Sequence, residues 1–180
     1  TRKSGVSAVN LQELLGLGSY NTAWAWLQKI RRCTVRKDRG KLSHRVEVDE
    51  FVIGGKKPGK RGRGAAGKTI VYVAVERYLK QNPETSEVYW KMGRARLQVA
   101  LDYSSYSLET FISHNVEIGS IVATDKWSSY QPILNTRYNH QVINPSDQKG
   151  PESGLYGAHL IVSLVKRLIR STFQGRLEPK

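Results

Sequence analysis

A chain of 180 residues is long enough for one ordinary domain with a small appendage and a proper core. Its 29 Lys and Arg against 15 Asp and Glu leave a formal charge of +14, which favours a polyanionic partner over a neutral metabolite. No apolar run approaches the roughly 18 residues of a spanning helix, no signal-like stretch opens the chain, and the single cysteine, Cys33, excludes an internal disulfide and a Cys-cluster zinc site. A soluble protein of a reducing compartment is expected, with no membrane partner. The chain starts at Thr1 without a methionine and reads as a fragment.

Residues 1–32 read as helical. Ser7 is placed to cap VNLQELL, which runs to Gly16 and Gly18, and Ser19 to cap a second helix with Ala23, Leu27 and Ile30 on one face. Two short helices about a glycine turn are the outline of a helix-turn-helix whose second helix enters a major groove, although any packed helical hairpin has the same pattern. Residues 33–44, CTVRKDRGKLSH, are basic and polar and read as a linker. The remainder, 45–180, is the candidate catalytic domain.

From Arg45 the texture changes. RVEVDEFVI, KTIVYVAVER, ARLQVALDY and SIVATD are alternating or β-branched runs of strand length, and YNHQVIN is a weaker fifth. LETFISHNV, behind Ser107, has helical spacing, and a closing helix covers 158–172. Three sequential strands form an antiparallel meander, and a strand after a helix joins in parallel through a right-handed crossover. An α/β fold with a mixed five-stranded sheet flanked by helices is expected.

The segment 54–68, GGKKPGKRGRGAAGK, holds Lys56, Lys57, Lys60, Arg61, Arg63 and Lys68 and no acid. As a hairpin tip it suits the phosphates of double-stranded DNA, against the alternative of a merely solvated loop. Lys126 and Arg170 join it as candidate DNA contacts. Residues 62–69, GRGAAGKT, satisfy the pattern G-x-x-x-x-G-K-[ST], but a phosphate loop follows a buried strand and opens a helix. Here a basic loop precedes and a strand follows, so no nucleotide cofactor is expected.

Two acids end strands. Asp49 closes an apolar alternation and Asp125 ends SIVATD, 76 positions later. If those strands are neighbours, the carboxylates converge and repel unless a cation sits between them, with Mg²⁺ foremost and Mn²⁺ possible. A third group comes from AHLIVSLVKRLIRSTF, where His159, Ser163, Lys166 and Arg170 form one stripe on an otherwise apolar helix. A buried helix with one polar stripe puts His159 beside the aspartates and Lys166 two turns on, near a phosphate. The competing reading is an ordinary amphipathic helix with its charges in water. Glu50, Asp102 and Glu152 read as hairpin, turn and loop acids, and His44, His114 and His140 offer no ligand spacing.

VEVDEFVIGG, GRGAAGKTIVYVAVER, TDKWSSY and HLIVSLVKRLIRSTFQG, in that order over roughly 45–175, resemble the insertion-sequence transposases of the DDE type, in the ISXO-like branch. LQELLGLGSYNTAWAWLQKIRR is similar to the helical DNA-binding segment that precedes their catalytic domain. The resemblance implies an RNase H-like fold in which Asp49 and Asp125 are the first two catalytic acids, His159 occupies the third position and Lys166 follows seven residues later. It also implies two Mg²⁺ or Mn²⁺ ions, cleavage and strand transfer on transposon-end and target DNA, a homo-oligomer on that DNA, and a bacterial cytoplasmic, nucleoid-associated setting. A zinc ribbon before residue 1 and a helical tail after Lys180 are expected in the family and absent from this chain. Glutamate is usual at the third position. Histidine supplies one nitrogen in place of two oxygens, a poorer match for Mg²⁺ and a better one for Mn²⁺. Two rival readings are a catalytically inactive transposase-derived DNA-binding protein, which His159 favours, and a nuclease of the same fold.

Overall fold

The computed structural model describes residues 5–35, 39–54, 68–125, 137–144 and 154–173. Helix α1, Ala8–Leu15, starts where Ser7 Oγ accepts the Asn10 amide hydrogen and ends at Gly16, whose φ of 60° is the left-handed conformation of a helix stop. Helix α2, Tyr20–Cys33, follows Ser19, which makes no side-chain cap bond. Ala23 and Leu27 are buried as expected, but Ile30 is half exposed. The hairpin closes on a core of only Ala8, Leu11 and Leu27.

Residues 39–44, within the segment read as a linker, are fastened to the sheet. Leu42 is fully buried, donates its amide to Asn115 O and accepts from Glu117 N. Arg94 and Arg96 donate to the carbonyls of Lys41 and Gly40 at 2.8 and 2.9 Å.

The five strands are β1 (Arg45–Ile53), β2 (Thr69–Gln81), β3 (Val88–Ala100), β4 (Ile121–Thr124) and β5 (Asn139–Val142). Helix α3 (Ser105–Asn115) precedes β4, and α4 (Tyr156–Phe173) closes the described chain. The sheet order is β3-β2-β1-β4-β5. The first three strands are an antiparallel meander, and β4 and β5 add in parallel. This mixed sheet between helices, behind two leading helices, is the RNase H-like arrangement that the sequence implied.

Two boundaries differ from expectation. β3 begins at Val88, upstream of the ARLQVALDY run, because the hairpin with β2 continues through Arg77–Gln81 past an irregularity after Val75. Gly93 interrupts the alternation there for a packing reason, since a Cβ at Gly93 would stand 2.6 Å from Glu76 Oε2. The cap of α3 is Ser104, not Ser107: Ser104 Oγ accepts the Ser107 amide hydrogen, and Asp102 accepts from both hydroxyls at 2.6 Å.

Strand alternation splits the core into two layers. Val46, Val48, Tyr72, Ala74 and Val122 face α3, where Leu108, Phe111 and Ile112 are fully buried. Phe51, Val71, Val73, Val75 and Ala123 face Leu155 and α4. The closing helix is therefore not buried all round. It lays Ala158, Ile161, Val162 and Val165 on the sheet and leaves Leu164 and Leu168 39% and 44% exposed.

Candidate active site

The candidate site centres on Asp49, which lies in the middle of β1 and not at its end as the sequence suggested, under the first turns of α4, while Asp125 directly follows β4. The parallel register of β1 and β4 pairs Arg45 with Ile121 and Glu47 with Ala123. That offset of 76 positions equals the spacing of the two aspartates, so two residues beyond the last pair Asp125 comes level with Asp49. Asp125 also has the alternation parity of Ala123, on the α4 side of the sheet. Both acids are partly buried.

Asp49 is anchored locally, its Oδ1 accepting the Glu50 amide hydrogen at 2.8 Å. Its other oxygen, Oδ2, stands 3.4 Å from Nε2 of His159, with the imidazole half exposed. Lys166 sits two turns along the same helix, its Nζ 5.7 Å from the centroid of Phe51. Alternate residues of one strand thus meet residues two turns apart on one helix: Asp49 meets His159 and Phe51 meets Lys166. Of the stripe, the exposed Ser163 donates its hydroxyl to Leu160 O of its own helix at 2.8 Å, and Arg170 is exposed in the last turn. Lys68, partly buried, leads into β2. Lys56, Lys57, Lys60, Arg61, Arg63 and Lys126, together with Glu152, lie outside the described residues.

Three contributors escaped the sequence reading. Glu47, 2% exposed, shares the Asp49 face of β1 and accepts from Arg77 Nη1 at 3.1 Å and from the Ala158 amide at 3.0 Å. Burial pushes its carboxyl up, while the Ala158 amide and Arg77 pull it down. Arg77 is itself 3% exposed and carries the rings of Tyr156 and Trp90 at 5.7 and 5.9 Å. His140, on β5, meets Thr124 Oγ1 at 2.8 Å, and that hydroxyl donates to the Asp125 carbonyl at 2.9 Å. The Thr124 hydroxyl then accepts from His140 Nε2, which fixes that nitrogen as the protonated one. Burial lowers the His140 pKa, favouring this neutral form. The sequence signal for Glu47 was its parity with Asp49; for His140, a ring inside a short strand, there was none.

Carboxylate oxygens and a neutral imidazole are a donor set for Mg²⁺ or Mn²⁺. Asp49 and His159 bring two such donors within 3.4 Å of each other. Among the described residues no group of three or more His, Cys, Asp or Glu side chains is gathered closely enough to hold a metal ion. Asp125 is the acid that the strand offset brings nearest in register to Asp49. The donor chemistry fits a divalent ion, with the aspartate and histidine already together.

No helix among the described residues is long and apolar enough to cross a membrane. No curated protein matches the chain. Among solved structures, a chain of the cryo-EM structure of the simian T-cell lymphotropic virus intasome in complex with PP2A regulatory subunit B56 gamma is 15% identical, with a TM-score of 0.32. The likeness covers 92% of this chain and 55% of that one, so this chain spans about half its length. The ISXO2-like transposase domain family, by contrast, matches residues 41–179, from the buried Leu42 strap through β1 and β4 to the end of α4. The chain belongs to that family of DDE-type insertion-sequence transposases.

Proposed function

We propose that the protein is a metal-dependent DNA transposase that cuts at insertion-sequence ends and joins the freed strand to target DNA. The observation that supports this reading is the parallel β1–β4 pair, Arg45–Glu47 against Ile121–Ala123, whose offset of 76 positions is that of the two aspartates, together with Asp49 Oδ2 at 3.4 Å from His159 Nε2. Asp49, Asp125 and His159 would hold the Mg²⁺ or Mn²⁺ ions. When bound, such ions activate water or a 3′-hydroxyl and stabilise the leaving oxygen of an in-line displacement.

The chain's own groups supply the rest. Asp49, fixed by the Glu50 amide, presents Oδ2 toward the imidazole, and His159 must be neutral to offer Nε2 as a ligand. Lys166 Nζ, held over the Phe51 ring, is a point charge for a DNA phosphate at the rim. The basic residues Lys56, Lys57, Lys60, Arg61, Arg63, Lys68, Lys126 and Arg170 neutralise phosphates of the two duplexes and assemble a homo-oligomer's subunits on them. The helical hairpin of α1 and α2, with Lys29, Arg31 and Arg32 on α2, is the second DNA contact. A bacterial cytoplasmic, nucleoid-associated setting goes with this reading.

Labelled candidate ends incubated with the protein and Mn²⁺ or Mg²⁺ test it. Joined product is expected. Cleavage without joining would point to a nuclease of the same fold, and a gel shift without cleavage to an inactive DNA-binding protein.

A further inference from the structure

The deepest charge on the α4 face of the sheet is not an assigned metal ligand. Glu47 is 2% exposed, and its two oxygens divide their work. Oε1 faces Arg77 Nη1 at 3.1 Å, and Oε2 takes the Ala158 amide at 3.0 Å, with the Gly157 amide also directed at the carboxylate. Gly157 and Ala158 are the second and third residues of α4, and first-turn amides have no partner within their own helix. A carboxylate there satisfies them and complements the positive end of the helix dipole. The cap comes from a strand 111 positions away.

The fit is tight. A Cβ on Gly157 would stand 2.9 Å from Glu47 Oε2 and 3.1 Å from Arg77 Cδ, so only glycine lets the helix come this close. Arg77 is wedged between the rings of Tyr156 and Trp90, which hold the guanidinium in place from the helix side and the β3 side. His159 follows Ala158 directly, and Asp49 lies two residues from Glu47 on the same face. Along the strand, residues 47, 49 and 51 meet helix residues 158, 159 and 166.

We propose that Glu47, by clasping the first turn of α4, is the positioning residue that sets His159 against Asp49. It touches neither DNA nor metal. Its effect passes through the helix, which can neither slide nor rotate on β1 while the clasp holds. The link to metal rests on the reading under Proposed function.

The test uses the full chain with Glu47→Gln, which keeps the volume, and with Glu47→Met combined with Arg77→Met, which removes both buried charges and leaves none unpaired. Three quantities are read: amide hydrogen exchange, Mn²⁺ affinity, and cleavage kinetics on labelled ends. Exchange at Gly157 and Ala158 should accelerate in both variants while the α3 amides keep parental rates. Mn²⁺ affinity should fall about 10- to 100-fold, the usual effect of removing a supporting group behind a ligand. kcat should fall while KM for the DNA stays within about twofold. Parental exchange at Gly157 and Ala158 would overturn the clasp. Accelerated exchange with parental Mn²⁺ affinity would overturn the positioning role, and exchange accelerated equally in α3 would reduce Glu47 to a general stabiliser. A parent that neither binds Mn²⁺ nor cuts DNA would instead refute the functional reading, while the exchange data still decide the clasp.

Discussion

The two faces of the sheet are built from the same strands and do different things. On the α3 face the cluster against α3 is apolar, with Val46, Val48, Tyr72, Leu108, Phe111 and Ile112 closing on the Leu42 strap, and the buried Glu76 of that face serves as a fastener. On the α4 face an apolar patch of similar make, Phe51, Val71, Val73, Val75 and Ala158, shares its strand with Glu47 and Asp49. One residue of register on β1 separates a dry core from a charged one. Polar groups this deep persist only with partners, and each here has one: Glu47 has Arg77 and a helix terminus, Asp49 has an amide and an imidazole.

Substitutions can break this contrast, and the largest effect belongs to the aspartates. Asp49→Asn or Asp125→Asn keeps the shape and removes the charge that would hold metal, so cleavage should fall by about a thousandfold or more, equivalent to about 4 kcal/mol of transition-state stabilisation. Binding to duplex DNA should stay or tighten, and the melting midpoint should move by no more than a few degrees. Substantial residual cleavage in either variant would remove that aspartate from the site.

The opposite pattern is expected across the sheet. Phe111→Ala and Leu108→Ala, both at fully buried positions, should cost about 3–5 and 2–5 kcal/mol in denaturant unfolding. Cleavage per folded molecule should hold. A drop in turnover beyond the drop in folded protein would mean the two faces are coupled.

Glu76 shows that the α3 face has its own charge, used only as a fastener. It accepts from the Ser43 amide at 2.9 Å and from Arg94 Nη2 at 2.8 Å, tying the strap to the sheet. Arg94 above all holds its carboxyl at about 2, below the ordinary 4.5. A lowered folded-state pKa gives stability that is present above about 4.5 and lost as pH falls toward 2. Glu76→Gln should therefore be less stable than the parent at pH 6, with the gap closing by pH 2. Urea midpoints across that range check it, and a gap that does not change with pH would dismiss the ion pair as its source.

The smallest effect concerns DNA capture. Replacing Lys56, Lys57, Lys60, Arg61 and Arg63 with Gln should flatten the plot of log K against log salt by about 0.9 for each phosphate that is no longer neutralised. An unchanged slope would mean that the segment does not touch DNA.

Much of this contrast was legible in the residues. The alternation in RVEVDEFVI predicted the span of β1 to the residue, and placed Val46 and Val48 opposite Glu47 and Asp49. The strand–helix–strand order predicted that β4 joins the sheet in parallel, and the register showed its neighbour to be β1, offset by the spacing of the aspartates. What escaped was what depends on the partner element. The helical pattern of α4 fits a buried helix and a half-exposed one equally, and only packing on the sheet decided that Leu164 and Leu168 face water. The role of Glu47 escaped because its cap and its Arg77 partner lie 111 and 30 positions away. Leu42 was hidden in a basic, polar stretch, where one apolar residue carries no periodicity.

The measurement that bears most directly on the central claim is end cleavage by the parent, His159→Ala and His159→Glu across a titration of Mn²⁺ and of Mg²⁺, with Glu152→Gln as control. If His159 is the third ligand beside Asp49, His159→Ala should need much more metal, and His159→Glu, which restores a carboxylate, should stay active with its preference moved from Mn²⁺ toward Mg²⁺. Glu152→Gln should change little. A titration in which His159→Ala matches the parent while Glu152→Gln loses activity would contradict the account and assign the third ligand to Glu152.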